Sequence, residues 1–211
     1  MNHVMLDIDG TLIQSYEFDE KCFVDAVYEI TGLELSSDWG SYPYVTDRGI
    51  LKTFIERQAP QYSLEELEDL VKPVFIRNIQ RTINSEPAKE VPGAREFVSY
   101  LMNSDKHVVS IATGGWSETA KLKLESAGFE LEGLTIASSN DHYSRIKIME
   151  VAKSQTDSTQ NLPVTYFGDA AWDVKACEEL GVNLVIVGER VNHQQRIVDF
   201  SSLEQVLRFV K

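Results

Sequence analysis

Continuous apolar runs rich in β-branched residues occur five times along the chain: HVMLDID (3–9), HVVSIAT (107–113), LTIAS (134–138), VTYFGD (164–169) and NLVIVGE (183–189). They do not alternate strictly between apolar and polar, which is the pattern of strands covered on both faces. From residue 93 onward, segments with helical spacing separate them. GAREFVSYLMN sets Phe97, Val98, Leu101 and Met102 at helical intervals, and SETAKLKLESAG and AAWDVKACEELG close on Gly128 and Gly181, where helix C-termini favour glycine. This alternation predicts an α/β fold with a doubly wound, mainly parallel sheet.

The alternation fails once, between the first two runs. Residues 15–90 carry helical patterns and no convincing strand, far more chain than an ordinary strand-to-helix connection uses. EFDEKCFVDAVYEITG puts Phe18, Cys22, Phe23, Ala26, Val27 and Ile30 on one face. DRGILKTFIERQAP stops at Pro60, and SLEELEDLVKPVFIRNIQRTI opens with Ser63 and Glu66 at capping-box spacing, with a kink expected at Pro73. The reading is a core of residues 1–14 and 91–211 carrying an inserted α-helical cap of residues 15–90, with NSEPAKEVPG as the return linker.

Composition narrows the partners. With 211 residues, 43% of them hydrophobic, the chain can bury a full core, and its net charge of -13 argues against nucleic acid or an anionic membrane surface. The start, MNHVMLDIDG, has too short an apolar run for a signal peptide, and no stretch reaches the length of a membrane span. Cys22 and Cys177 follow no metal or redox spacing and read as buried thiols in a reducing cytoplasm. The expected assembly is a monomer or homodimer.

Chemistry concentrates where the runs end. Asp7 and Asp9, at i and i+2 of an expected strand, project together at its carboxyl end, where open α/β sheets bind ligands. Asp169 stands at the tip of the fourth run, and Asp173, four residues on, returns to the same helix face. Carboxylates converging there call for a hard divalent cation, and Mg2+ fits. Thr113 offers a hydroxyl, and the Gly114-Gly115 pair backbone amides for an anion. A base follows the third run. On a helix capped by Ser144, Arg145 occupies the first turn and Lys147 points about 200° away, so one of the two reaches the site.

These segments, in this order, resemble the haloacid dehalogenase superfamily across essentially the whole chain, and specifically its phosphatase branch. DIDGT is similar to its first motif, the Thr113 of IATGG to its second, the base of SRIKIMEVA to its third and GDAAWD to its fourth. The inserted helices resemble the cap of the phosphoglycolate phosphatase-like group. The resemblance implies a Rossmann-like core and a phosphatase acting on a small phosphorylated metabolite. It makes Asp7 the nucleophile that forms an aspartyl-phosphate and Asp9 the general acid and base. It places Mg2+ on Asp7, the main-chain carbonyl of Asp9 and Asp169, with Asp173 ligating directly or through water. Thr113, the neighbouring amides and Arg145, with Lys147 as the alternative, would hold the phosphoryl oxygens. Dehalogenases of the superfamily lack the second aspartate of the first motif, so Asp9 points to phosphoryl chemistry.

Within the cap, SYPYVTDRG contains Tyr42, Tyr44, Asp47 and Arg48, and Arg48 is the candidate for contact with an anionic substrate. Two alternatives accompany hydrolysis: a phosphomutase of the β-phosphoglucomutase type, and a non-catalytic binding protein on the same scaffold.

Overall fold

The computed structural model describes residues 1–157 and 161–210. Six parallel strands form one sheet in the order β3-β2-β1-β4-β5-β6: β1 Asn2–Leu6, β2 His107–Ala112, β3 Thr135–Ala137, β4 Val164–Gly168, β5 Asn183–Val187 and β6 Arg196–Ile197. Five match the apolar runs. The sixth, two residues long with Arg196 exposed, is too short to leave a hydrophobic pattern.

Side chains alternate between two apolar layers. Val4 and Leu6 of β1, Phe167 of β4, and Val185 and Val187 of β5 join the layer made by α4 (Ala94–Met102) and α5 (Ser117–Ser126). Met5, Tyr166, Leu184 and Ile186 enter the opposite layer with α6 (Arg145–Thr156) and α7 (Ala171–Leu180). Helices thus cover both faces, which is why the runs are apolar throughout. A short α8 (Leu203–Leu207) follows the last strand. Among the described residues no helix is long and apolar enough to cross a membrane.

The segment between β1 and α4 is helical, as expected: α1 Tyr16–Thr31, a 3₁₀ turn Trp39–Ser41, α2 Asp47–Gln58 and α3 Leu64–Ser85. Ser63 and Glu66 form the reciprocal capping box, and α3 is one continuous helix that includes Pro73. The outgoing and returning chains run side by side. The Gln14 N–H donates to the Lys89 carbonyl at 2.8 Å and the Val91 N–H to the Leu12 carbonyl at 2.8 Å.

These helices pack on the core through Trp116, which is fully buried. Its ring lies 6.0 Å from Phe23 and 6.0 Å from Phe75, and its indole N–H donates to Glu68 at 3.1 Å. Cys22 and Cys177 are buried free thiols.

Candidate active site

Asp7, Thr113 and Asp169 are each the first residue after a strand, and those strands, β1, β2 and β4, are neighbours in the sheet. Leu6 lies opposite both Ile111 and Phe167, so Thr113 and Asp169 stand one residue further along the edge than Asp7. Three residues far apart in sequence therefore meet at one edge. Strand β1 is shorter than its apolar run predicts, ending at Leu6 rather than Asp9. Beyond Asp7, whose N–H still donates to the Phe167 carbonyl, the amides of Thr11, Leu12 and Ile13 all turn back onto the Ile8 carbonyl. Asp9 thus sits in a turn. Its carboxylate accepts from the Ser15 hydroxyl and pairs with Lys123 at 2.5 Å. Gly10 adopts φ 83°, and a Cβ there would lie 2.2 Å from an Asp169 oxygen, so glycine alone lets this turn approach the neighbouring carboxylate.

Asp7, Asp169 and Asp173 are buried, and one oxygen from each lies within 4.8 Å of the others. An all-carboxylate donor set of this kind suits a hard cation such as Mg2+. The electrostatics agree. Burial, then the neighbouring carboxylates, push the Asp7 carboxyl well above its ordinary range against the pull of Arg145. Burial and Asp173 push Asp169 up to about 7. Asp173, expected to ligate directly or through water, is also bound within the protein. Its Oδ2 accepts from the amides of Asp169 and Ala170 at 3.2 and 3.1 Å, and its Oδ1 pairs with Arg145 at 3.1 Å and accepts from the Tyr166 hydroxyl at 3.3 Å. Both oxygens already hold the start of α7 and Arg145 in place.

Arg145 reaches the site, whereas Lys147 does not. The Arg145 guanidinium is buried between Asp173 and Asp7, 3.5 Å from the latter, and donates to the Tyr166 hydroxyl at 3.1 Å. Lys147 is exposed and pairs with Glu150 at 2.7 Å. Their different directions follow from helical geometry. Ser144 precedes α6, but its side chain makes no capping bond. Gly114 makes room for the arginine: a Cβ there would lie 2.7 Å from Arg145 Nη2.

The turn after β2 is engaged differently from an open anion nest. The Gly115 N–H donates to the Thr113 hydroxyl at 3.2 Å, and the Trp116 N–H donates to Asp47 Oδ2 at 2.8 Å. Asp47 thus takes the Trp116 amide, and its own N–H donates to the Gly114 carbonyl at 2.9 Å. Arg48, next in sequence, turns away. It pairs with Glu68 at 2.9 Å and is not among the residues that line the cleft.

Three residues the sequence reading did not name, Lys123, Asp19 and Arg190, belong to the site together with Asp47. Lys123, on α5 and only 1% exposed, bridges Asp9 and Asp19 at 2.5 Å each. Asp19 and Asp47 line the cleft. Arg190 pairs with Asp169 at 3.1 Å and lies 3.6 Å over the Tyr16 ring. Burial and Asp9 push the Asp19 carboxyl up to about 6, while Asp19 and Asp9 together overcome burial and hold Lys123 protonated. The cleft, of about 90 Å³, opens between the strand edge and the first turns of α1 and α2.

Comparison with known proteins gives the arrangement a family. A model described as haloacid dehalogenase-like hydrolase matches residues 4–187. No curated protein matches the chain. Among solved structures, a hydrolase from Pseudomonas syringae superposes with a TM-score of 0.76 at 19% identity, covering 99% of this chain and 98% of its own. CbbY from Rhodobacter sphaeroides, in complex with phosphate, gives 0.72 at 13% identity with 96% of each chain covered. A β-phosphoglucomutase from Clostridium difficile gives 0.73 at 13%, covering 99% of this chain and 96% of its own. The structural likenesses establish the fold, and the sequence match over most of the chain establishes the kinship: this protein belongs to the haloacid dehalogenase-like hydrolase family.

Proposed function

We propose that the protein is a Mg2+-dependent phosphatase that hydrolyses a small phosphomonoester through an aspartyl-phosphate. The observation that carries this reading is the convergence of Asp7, Asp169 and Arg145 beside Thr113 at one sheet edge, in a member of a hydrolase family. Residues 15–90 act as the cap over this edge.

Asp7 attacks phosphorus, and the bond to the leaving alcohol breaks. Asp9 gives that alcohol its proton, then takes one from the water that releases inorganic phosphate from Asp7. Asp7, Asp169 and the main-chain carbonyl of Asp9 would hold Mg2+, whose charge offsets the repulsion between a phosphoryl group and these carboxylates. Arg145 and Thr113 orient the phosphoryl oxygens. Asp173 fixes Arg145 and the start of α7.

The direct test is phosphate release from p-nitrophenyl phosphate with Mg2+ and with EDTA. Release that depends on Mg2+ supports the reading; none from a broad ester panel overturns it. Isomerised sugar phosphate in place of free phosphate would favour the mutase alternative.

Thermal melts test the metal separately. The Asp169 carboxyl is raised in the fold, so its stabilising contribution to the metal-free protein is present below about pH 4 and is lost as pH rises through about 7. Mg2+ binds the ionised form. It should therefore raise the melting midpoint more at about pH 8 than at about pH 5. An equal shift at both would place the ion elsewhere.

Lys147→Met should leave kcat/KM within about twofold, since an exposed ion pair contributes little. A large loss would return Lys147 to the site.

A further inference from the structure

The cleft is built in two halves of opposite character. The half at the sheet edge carries Arg145, the single base that lines it among the described residues. The half contributed by residues 15–90 carries Asp19, Glu20 and Asp47 and no base. Lys123 contacts Asp19 from below but, at 1% exposure, is sealed from any ligand. The other bases nearby are already paired: Arg48 with Glu68 at 2.9 Å, Lys72 with Glu118 at 2.7 Å and Arg190 with Asp169 at 3.1 Å.

The carboxylates are gathered close to the reacting groups. A Cβ on Gly115 would lie within 3.9 Å of an Asp47 oxygen, an Asp9 oxygen and the Thr113 hydroxyl together. Burial first, and then Asp19, push the Asp47 carboxyl well above its ordinary range, and a cation beside it would favour its ionised form. Phe23, Trp39 and Trp172 complete the walls, and aromatic faces attract ammonium groups. A second phosphate or a carboxylate on the leaving group would instead lie against like charges, with no base to meet it.

The geometry points to a phosphomonoester of an amino alcohol as the substrate class: the phosphoryl group at Arg145 and the strand tips, an ammonium group among Asp19, Glu20 and Asp47. This assignment rests on the phosphatase reading, and phosphonates, which carry a C–P bond in place of the ester, test it without turnover. Calorimetric titration of the Mg2+-loaded protein compares 2-aminoethylphosphonate, its neutral isostere 2-hydroxyethylphosphonate and the anionic phosphonoacetate. The aminoethyl compound should bind about tenfold more tightly than the hydroxyethyl one, and phosphonoacetate weakest of the three. In Asp47→Asn the aminoethyl-over-hydroxyethyl ratio should fall about fivefold. Glu20→Gln, on a separate helix, should lower the same ratio and serves if the first variant does not fold.

Equal binding of the aminoethyl and hydroxyethyl compounds, or tightest binding of phosphonoacetate, overturns the assignment and leaves the phosphatase reading standing. Failure of all three to bind, together with no turnover of p-nitrophenyl phosphate, overturns both.

Discussion

Asp7→Asn should lower kcat for p-nitrophenyl phosphate by at least about 10³-fold, because an amide cannot form the covalent phosphoryl intermediate. The loss should come without unfolding. Asp7 is buried among Asp9, Asp169 and Asp173, and burial and those neighbours push its carboxyl well above the ordinary range. An amide of the same shape removes one charge from that crowd, while Arg145 keeps Asp173 at 3.1 Å. The melting midpoint in EDTA should therefore stay level or rise as activity disappears. That pairing separates a chemical role from a structural one. A variant that melts lower and loses activity in proportion would make Asp7 a packing residue, and one that retains wild-type turnover would remove it from the reaction. Asp9→Asn offers the internal contrast: it leaves the nucleophile in place and should slow esters with poor leaving groups more than p-nitrophenyl phosphate.

The sheet edge was legible because its residues lie in or beside strongly patterned elements. Asp7, Thr113 and Asp169 each follow an apolar run, and parallel strands bring such tips together whatever their separation in sequence. The choice between Arg145 and Lys147 needed the helix direction, which depends on where α6 starts and how it rests on β3 and β2. The other half of the cleft was harder to read. Its signal was nonetheless present as charged residues in register with buried stripes. Asp19 lies four residues before Phe23, in line with Ala26 and Val27; Asp47 precedes Ile50, Leu51 and Phe54; Lys123 follows Ala120 and precedes Leu124. A charge at such a position must find a partner or a ligand on the buried side. What the sequence could not supply is which stripes face one another, since α1, α2 and α5 meet only through tertiary packing. Arg48 and Asp47 show the cost of that gap: adjacent on α2, they diverge, and the acid rather than the base lines the cleft.

Lys123→Met should destabilise the protein by about 3–5 kcal/mol, the range for removing one partner from a buried charge cluster. Lys123 is the sole base touching Asp9 and Asp19 among the described ion pairs, at 2.5 Å from each, and its own surface is 1% exposed. Methionine fills the volume but leaves two carboxylates without their counterion. Because the paired ammonium is held above its ordinary value, its contribution is fully present below about pH 10 and is lost only as pH rises through the folded value. Asp19, already pushed up to about 6, takes up a proton more readily once its counterion is gone, so the destabilisation measured by urea unfolding should shrink as pH falls below about 6. Adding Asp19→Asn should restore part of the loss, since Asp19 is then no longer a charge in need of a partner, and the double-mutant cycle isolates that coupling. A change below about 1 kcal/mol in the single variant would mean that water reaches the two carboxylates and that the bridge contributes little. The same bridge ties α1 to α5, so Lys123→Met should also loosen the seat of residues 15–90 on the core. Limited proteolysis reads this directly: cleavage of the paired chains near Gln14 and Lys89 should precede global unfolding in the variant and not in the wild type.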